Sequence, residues 1–293
     1  MVSDTAKGRF IMQSVIQSVS LQGVDVVPVS VQAHISNGLP AMAIVGLADK
    51  SVNESKERVR AALSSLGLAL PAKRVAINLA PADLPKEGAH FDLPIAMAVL
   101  LAMGVLPADT LDGFVVLGEL SLGAAVNKVS GILPAALYAS SHAHGLVCPF
   151  DNGAEAAWAG QLEIIAARSL PQILNHFRGS QILTPPEAQL VEEVRGGPDM
   201  AELSGQETAR RALEIAALGG HHMLMVGPPG AGKSMLASRL PSLLPPLSPK
   251  EALEATIIHS IAGQVPASGL ISTRPFRDPH HSASMPALIG RRY

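Results

Sequence analysis

Gly227-Pro228-Pro229-Gly230-Ala231-Gly232-Lys233-Ser234 fits the pattern Gly-x4-Gly-Lys-[Ser/Thr] at every position. Glycines at this spacing let the backbone fold tightly, so that successive N–H groups converge on phosphate oxygens. Lys233 brings a point charge to the β- and γ-phosphates, and Ser234 offers a hydroxyl to Mg²⁺. Gly227, Pro228, Pro229, Gly230, Ala231, Gly232, Lys233 and Ser234 are therefore assigned to phosphate binding, with ATP and Mg²⁺ as the expected ligands. A chance match in a chain this long is roughly a one-in-a-hundred event at ordinary residue usage. The flanks agree with the chemistry. His222–Val226 reads as a short apolar strand entering the loop. Lys233–Leu240 reads as a helix that ends at Pro241 and turns the positive end of its dipole toward the same anion.

Working back from the loop, Ser204 opens a helix over Gln206–Leu218. Its Ala209, Ala212, Leu213 and Ala216 share a face, and Gly219-Gly220 ends it. Thr184-Pro185-Pro186 and Gly196-Gly197-Pro198 bracket a short charged segment, Glu187–Arg195, and mark a linker over 183–199. Upstream, strand-like and helix-like runs alternate. Val24–Val31 and Ala41–Val45 read as strands, with Asn37-Gly38 a turn before the second. Asp49–Leu66 reads as an amphipathic helix with Val52, Val59, Leu63 and Leu66 on one face, a Glu54–Arg58 pair and Gly67 as its stop. Further strands are expected at Val75–Leu79, Phe114–Leu117, Val147–Pro149 and Glu163–Ala166. Buried helices are expected at Leu93–Met103 and Gly131–Ala143. This alternation makes an α/β or α+β domain over 12–182.

Composition narrows the function classes. The chain has 293 residues, enough for two domains at roughly 100–200 residues each. Acidic and basic residues nearly balance, 24 against 22, so bulk charge makes no case for a polyanionic partner, and any such contact needs a local patch. Cys148 is the single cysteine, which excludes an intrachain disulfide and fits a buried thiol in a reducing cytoplasm. Met1–Phe10 leads into no apolar signal core. The longest apolar run, Leu93–Leu106, is shorter than the ~20 residues of a membrane span, so no membrane partner is expected.

With the loop located, its surroundings resemble those of the ComM/YifB family of magnesium-chelatase-like AAA+ proteins. The resemblance rests on Gly205-Gln206-Glu207, on GPPGAGKSMLASRLPSLLPPL over Gly227–Leu247, and on Arg274-Pro275-Phe276-Arg277-Asp278-Pro279-His280-His281-Ser282. Upstream it rests on Gly38–Leu47, on ESKERVRAAL over Glu54–Leu63, and on NLAPADLPKEGAHFDLPI over Asn78–Ile95. It covers about residues 12–290. The resemblance implies an α/β architecture in which a Lon-protease-like domain of the ribosomal S5 domain-2-like fold is followed by the N-terminal part of a P-loop AAA+ domain over 200–293. It implies a cytoplasmic, ATP-driven, ring-forming motor that acts on DNA in branch migration and natural transformation. Magnesium chelatase offers the alternative of a metal-insertion chaperone, and a non-enzymatic binding module is a third reading.

The Lon likeness implies no peptidase. The stretch matching Lon's nucleophile motif is Pro85-Lys86-Glu87-Gly88-Ala89-His90-Phe91-Asp92, with His90 in place of serine. Counting from Gly118-Glu119 places Leu133 at the catalytic lysine. A Ser–Lys mechanism needs a hydroxyl and a base, and neither is present. His90 with Asp92 is a weak acid–base pair, since an Asp at a helix start is usually a cap. His280-His281 lacks a third metal ligand, and the resemblance sets it near a hairpin facing a central pore. Arg274, Arg277, Arg291 and Arg292 make the surrounding stretch the most basic of the chain, and phosphate contact is possible there. His221-His222 is read as structural. Downstream of Ser234 the acids are Glu251, Glu254 and Asp278, and none follows an apolar strand, so no catalytic residue is assigned. The family continues beyond Tyr293 through that acidic strand. The expectation is therefore a truncated chain, with His222–Val226 lacking strand neighbours, residues beyond ~204 poorly ordered, ATP bound weakly and hydrolysis absent.

Overall fold

The computed structural model describes residues 13–188, 198–265, 269–280 and 282–284. The expected linker residues Gly196-Gly197, the second histidine His281, Arg291, Arg292 and the chain end at Tyr293 lie outside them. The chain divides into two compact units. One comprises 1–191 with 256–270, the other 192–255 with 271–293.

The first unit is built on a mixed, mostly parallel sheet. Its strands are β1 (Gln13–Gln22), β2 (Asp25–Ser36), β3 (Ala41–Val45), β4 (Arg74–Ala80), β5 (Phe114–Val116), β6 (Glu119–Leu120), β7 (Val126–Asn127), β8 (Gly145–Pro149) and β9 (Ile164–Ala167). Seven of them form one sheet in the order β3-β4-β2-β1-β5-β8-β9, and β6 and β7 form a small ladder. β1 and β2 make a hairpin in which Gln22 faces Asp25. The turn between them is Gly23-Val24, with Gly23 at φ 62, a backbone that favours glycine. Val24, expected inside the strand, is thus at its tip and exposed.

The Asn37-Gly38 turn does not fold β3 back on β2. β3 lies beyond β4 and runs parallel to it, Met42 against Val75, while β4 pairs antiparallel with β2. Connection length explains this. α1 (Lys50–Ser65) sits between β3 and β4, and a helical crossover is what joins parallel neighbours. α1 starts where the Asp49 carboxylate accepts the Val52 N–H at 2.7 Å. It buries Val52, Val59, Ala62 and Leu63 and stops at Gly67, φ 71. The Glu54–Arg58 pair forms at 3.8 Å.

α2 (Asp92–Ala102) is buried on every side, as a helix that is apolar all round after its first residue must be. With α1 it packs the apolar residues of β2 and β4 into one cluster. α3 (Ile132–Ser141), α4 (Gly153–Ala156) and α5 (Leu170–Phe177) complete the helices of residues 13–188. Ile132, Ala135 and Ala136 of α3 join Val115, Leu146 and Cys148 in a second cluster.

The second unit holds α6 (Glu207–Gly219), α7 (Lys233–Ala237), α8 (Leu240–Leu243) and the start of α9 (Pro249–Ile261). Leu213, Ala216 and Ala217 form the buried face of α6, and Gly220 at φ 62 caps it. Ala212, expected on that face, is exposed. The expected helix over 233–240 breaks after Ala237, and Pro241 sits in the first turn of α8. Proline is tolerated there because its missing N–H is one a first turn leaves unpaired anyway. The expected strand at His222–Val226 does not form. Strands exist by pairing, and no described residue of this unit pairs with it. Leu224 and Val226 stand 88% exposed.

Candidate nucleotide site

The phosphate-binding assignment lies in the second unit, between His222–Val226, which forms no regular element, and α7. Gly230 and Gly232 have φ of 79 and 80, and a side-chain carbon added at either would meet nothing within 4 Å. The demand for glycine there is torsional, and the space above the loop is open to a ligand. At Gly227 an added carbon would make only an ordinary contact, 3.8 Å from the Ala231 side chain. The Lys233 ammonium donates to the carbonyls of Gly227 and Pro228, both at 2.8 Å. Two loop carbonyls thus hold the charge at the loop, where an anionic phosphate would compete for it. Ser234, in the first turn of α7, is exposed. Among the described residues no group of three or more His, Cys, Asp or Glu could hold a metal, so Mg²⁺ would be held through the nucleotide and Ser234. The positions fit ATP with magnesium: open backbone, a cation at the loop and a free-facing hydroxyl.

Behind the loop is a feature sequence reading misses. Arg239, almost wholly buried, donates to the carbonyls of Asp199 (2.8 Å) and Met235 (2.9 Å) and to the Glu202 carboxylate (2.7 Å). Gln206 donates to the Ala231 carbonyl at 3.4 Å, and itself adopts a left-handed φ of 56. The segment 199–206 is therefore tied both to the loop and to the helix after it. A buried arginine in a run of apolar and small residues was the only available signal.

Of the downstream acids, Glu251 accepts from the Ser248 N–H and hydroxyl at 2.9 and 2.8 Å and faces Arg274 at 3.4 Å. These bonds, the Ser248 backbone first, hold its carboxyl below the usual range. It serves as a cap for α9.

In the first unit, the stretch at the Lon nucleophile position forms no acid–base pair. His90 Nε2 bonds the Val19 carbonyl at 3.1 Å, and its ring lies 4.1 Å from that of Phe91. Loss of solvent lowers its pKa to about 4, so the ring is neutral near pH 7. Asp92 is fully buried and belongs to Arg58, whose Nε and Nη2 donate at 2.6 and 3.0 Å. The Leu120 N–H adds a third bond at 3.2 Å. Sequence reading had paired Arg58 with Glu54, its neighbour on the helix. The longer-range partner, 34 residues on, leaves no periodic trace. Lys86 is also fully buried. Its ammonium donates to the Pro81 carbonyl, and desolvation lowers its pKa. Leu133 is buried at the start of α3. Its N–H bonds Glu155 at 3.2 Å and Ser260 at 3.3 Å.

Two family models match the chain: "Subunit ChlI of Mg-chelatase" over residues 31–152, and "Magnesium chelatase, subunit ChlI" over residues 199–293. YifB of Salmonella typhimurium is 42% identical over 268 residues, 92% of this chain and 53% of the relative. Competence protein ComM of Haemophilus influenzae is 40% identical over 283 residues, 94% of this chain and 55% of the relative. The archaeal Lon protease of Halobacterium salinarum is 40% identical over 58 residues, 20% of this chain and 8% of that one. The chain spans about half the length of the YifB and ComM relatives it matches. Likeness at this level across nearly the whole chain, together with the P-loop just described, places it: the protein belongs to the ComM/YifB family of magnesium-chelatase-like proteins.

Proposed function

We propose that this chain binds ATP with Mg²⁺ through Gly227–Ser234 and contributes this site to a DNA-processing AAA+ motor of the cytoplasm. The observation that carries the reading is the open glycine loop with Lys233 at 2.8 Å from two of its carbonyls. On this reading the loop N–H groups orient the phosphates, Lys233 neutralises them and Ser234 faces the metal. The bound nucleotide supplies a phosphoanhydride bond. The residues of this chain hold it without splitting it, because Glu251 is engaged as a cap and neither Glu254 nor Asp278 follows a strand among the described residues. DNA is proposed from the family resemblance of the sequence alone, and a ring of like subunits is proposed for the full-length family rather than for this chain by itself. Residues 12–182 are proposed as a Lon-like domain without peptidase chemistry, supported by the archaeal Lon match and the spent bonds of His90 and Asp92. Metal insertion, as the chelatase subunit names suggest, is the second reading.

The test is a titration of the purified chain with a fluorescent ATP analogue and Mg²⁺, paired with a phosphate-release assay with and without DNA. Binding is expected, lost by at least about tenfold in Lys233→Ala, since removing one charge-assisted bond costs about 1.5–3 kcal/mol. No phosphate release above background is expected. Unchanged affinity in the variant rejects the loop as the site. Turnover that disappears in Lys233→Ala shows that the chain hydrolyses ATP.

A further inference from the structure

The chain holds two Asn-Gly dipeptides, Asn37-Gly38 and Asn152-Gly153, and the fold treats them oppositely. Asn37, Gly38, Leu39 and Pro40 join β2 to β3, belong to neither strand and are all exposed. Among the described residues neither the Asn37 amide nor the Gly38 N–H is hydrogen-bonded. The surroundings of the Gly38 nitrogen are uncrowded, since a carbon added at Gly38 would make only an ordinary contact, 3.5 Å from the Arg74 Cβ. Asn152 is fully buried. Its Nδ2 donates to the Val129 carbonyl and to the Glu155 carboxylate, both at 3.0 Å, and its Oδ1 accepts the Val129 N–H at 3.0 Å. The Gly153 N–H donates to the Phe150 carbonyl, and the Asn152 backbone sits in the helical region at φ -100 and ψ -5. An asparagine side chain can react with the next residue's nitrogen only if both can rotate toward each other. Glycine in second place is the least hindered partner because it has no Cβ.

We propose that Asn37 is a self-modification site, converted to isoaspartate in the folded protein by ring closure on Gly38, while Asn152 is preserved. The Gly38 nitrogen gives up its proton to base and attacks the Asn37 Cγ. The new N–Cγ bond closes a succinimide ring, and the Cγ–Nδ2 bond breaks to release ammonia, which takes up a proton. Water then opens the ring. Attack at the Asn37 backbone carbonyl breaks its bond to the Gly38 nitrogen and leaves the main chain running through Cγ, with a free α-carboxylate, which is isoaspartate. Attack at Cγ restores the ordinary main chain and gives aspartate. Nothing is oxidised or reduced. Isoaspartate adds a methylene to the main chain and a negative charge at the approach to β3, where no charged residue stands from Gly38 to Ala48. Because the segment is exposed and outside regular structure, the product is presented to enzymes that methylate isoaspartyl carboxylates. The inference is independent of the nucleotide reading.

The test incubates the full chain in mildly alkaline native buffer and follows each Asn-Gly peptide by mass spectrometry, with fragmentation that separates isoaspartate from aspartate. The Asn37 peptide is expected to deamidate at least about tenfold faster than the Asn152 peptide, because Asn152 reacts only when its surroundings open. Isoaspartate is expected among its products, and the rate is expected to rise with alkalinity. In strong denaturant the two peptides are expected to react at comparable rates, which assigns the native difference to the fold. Asn37→Gln, checked for folding by circular dichroism, is expected to lose the isoaspartyl groups that a carboxyl methyltransferase labels in the aged wild-type chain. Equal native rates at the two sites, or no deamidation at Asn37, overturns the proposal. So does aspartate as the sole product, since the side chain would then be hydrolysed without a ring. Methyl labelling that persists in Asn37→Gln, or a rate gap that survives denaturant, overturns it as well.

Discussion

Asp92 shows how a residue's place in a motif and its work can differ. Two residues after His90, it suggests acid–base chemistry. In the fold it is fully buried and takes two bonds from Arg58 and one from the Leu120 N–H. Breaking a buried pair on one side leaves a poorly solvated charge behind, at about 3–5 kcal/mol. Arg58 keeps some access to water, so the lower end applies. Asp92→Ala is expected to lose about 3 kcal/mol in urea unfolding, and Asp92→Asn, which retains an acceptor for Leu120, clearly less. His90 makes a pH-dependent contribution. Its pKa is lowered to about 4 in the fold against an ordinary 6.5, chiefly by desolvation. The unfolded chain therefore takes up a proton that the folded chain refuses. This group's effect is constant above about 6.5, stability falls as pH drops from there toward 4, and no more is lost below. At about 1.4 kcal/mol per unit the loss is on the order of 3 kcal/mol. Urea unfolding between pH 7 and 4 is expected to show a slope that His90→Gln flattens. Identical slopes would leave the histidine without a part in it.

At the level of elements, local signals were legible where local physics decides. α1 was readable from its apolar period, its Glu54–Arg58 pair and its glycine stop, and all three are present; the Asp49 cap is what the structure adds. α2 was readable as buried from its unbroken apolar run. What was not legible depends on distant partners. The order of β3 and β4 follows from a crossover that no residue near Asn37 encodes. His222–Val226 has strand composition, but pairing requires a neighbour. The start of α3 is a further case. Gly131 offers no side chain to cap it, and the role is shared by Glu155 and by Ser260, 127 residues after Leu133. The Ser260 hydroxyl donates to Glu155 at 2.5 Å and accepts the Leu133 N–H, while its carbonyl accepts the Gly131 N–H. Asn152 bonds the other Glu155 oxygen at 3.0 Å. Residues 256–270 thus count with the first unit, which a reading of 12–182 as complete does not anticipate. Ser260→Ala is expected to cost about 1–2 kcal/mol and to speed hydrogen exchange at Leu133 without disturbing α1. Unchanged exchange at Leu133 would remove Ser260 from the cap.

Across the whole molecule, the loop that nominates a nucleotide was the most legible feature, because eight consecutive residues carry it. The supports behind it, Arg239 with Asp199 and Glu202, were not legible, being gathered from 40 positions apart. Apolar cover is unevenly shared. The first unit has two large buried clusters, whereas in the second the buried apolar cluster is Met200, Leu213 and Leu236 with partly buried neighbours. Stability therefore has to be measured unit by unit, and one residue makes this practical. Cys148 is the single cysteine of the chain, lies in β8 with no exposed surface, and has its thiol pushed well above the ordinary range by burial. A thiol that is neither ionised nor reachable cannot attack an aromatic disulfide reagent until its strand lets go. Its labelling rate is thus a clock for opening of the β5–β8–β9 region alone, blind to whatever the loop-bearing unit does. Under native conditions the rate is expected to lie on the order of 10³-fold or more below that in strong denaturant, the factor an opening of about 5 kcal/mol imposes. Rapid labelling in buffer would mean that this part of the sheet breathes far more than its packing allows. A slow clock during a heating run in which circular dichroism already falls would time the two units separately.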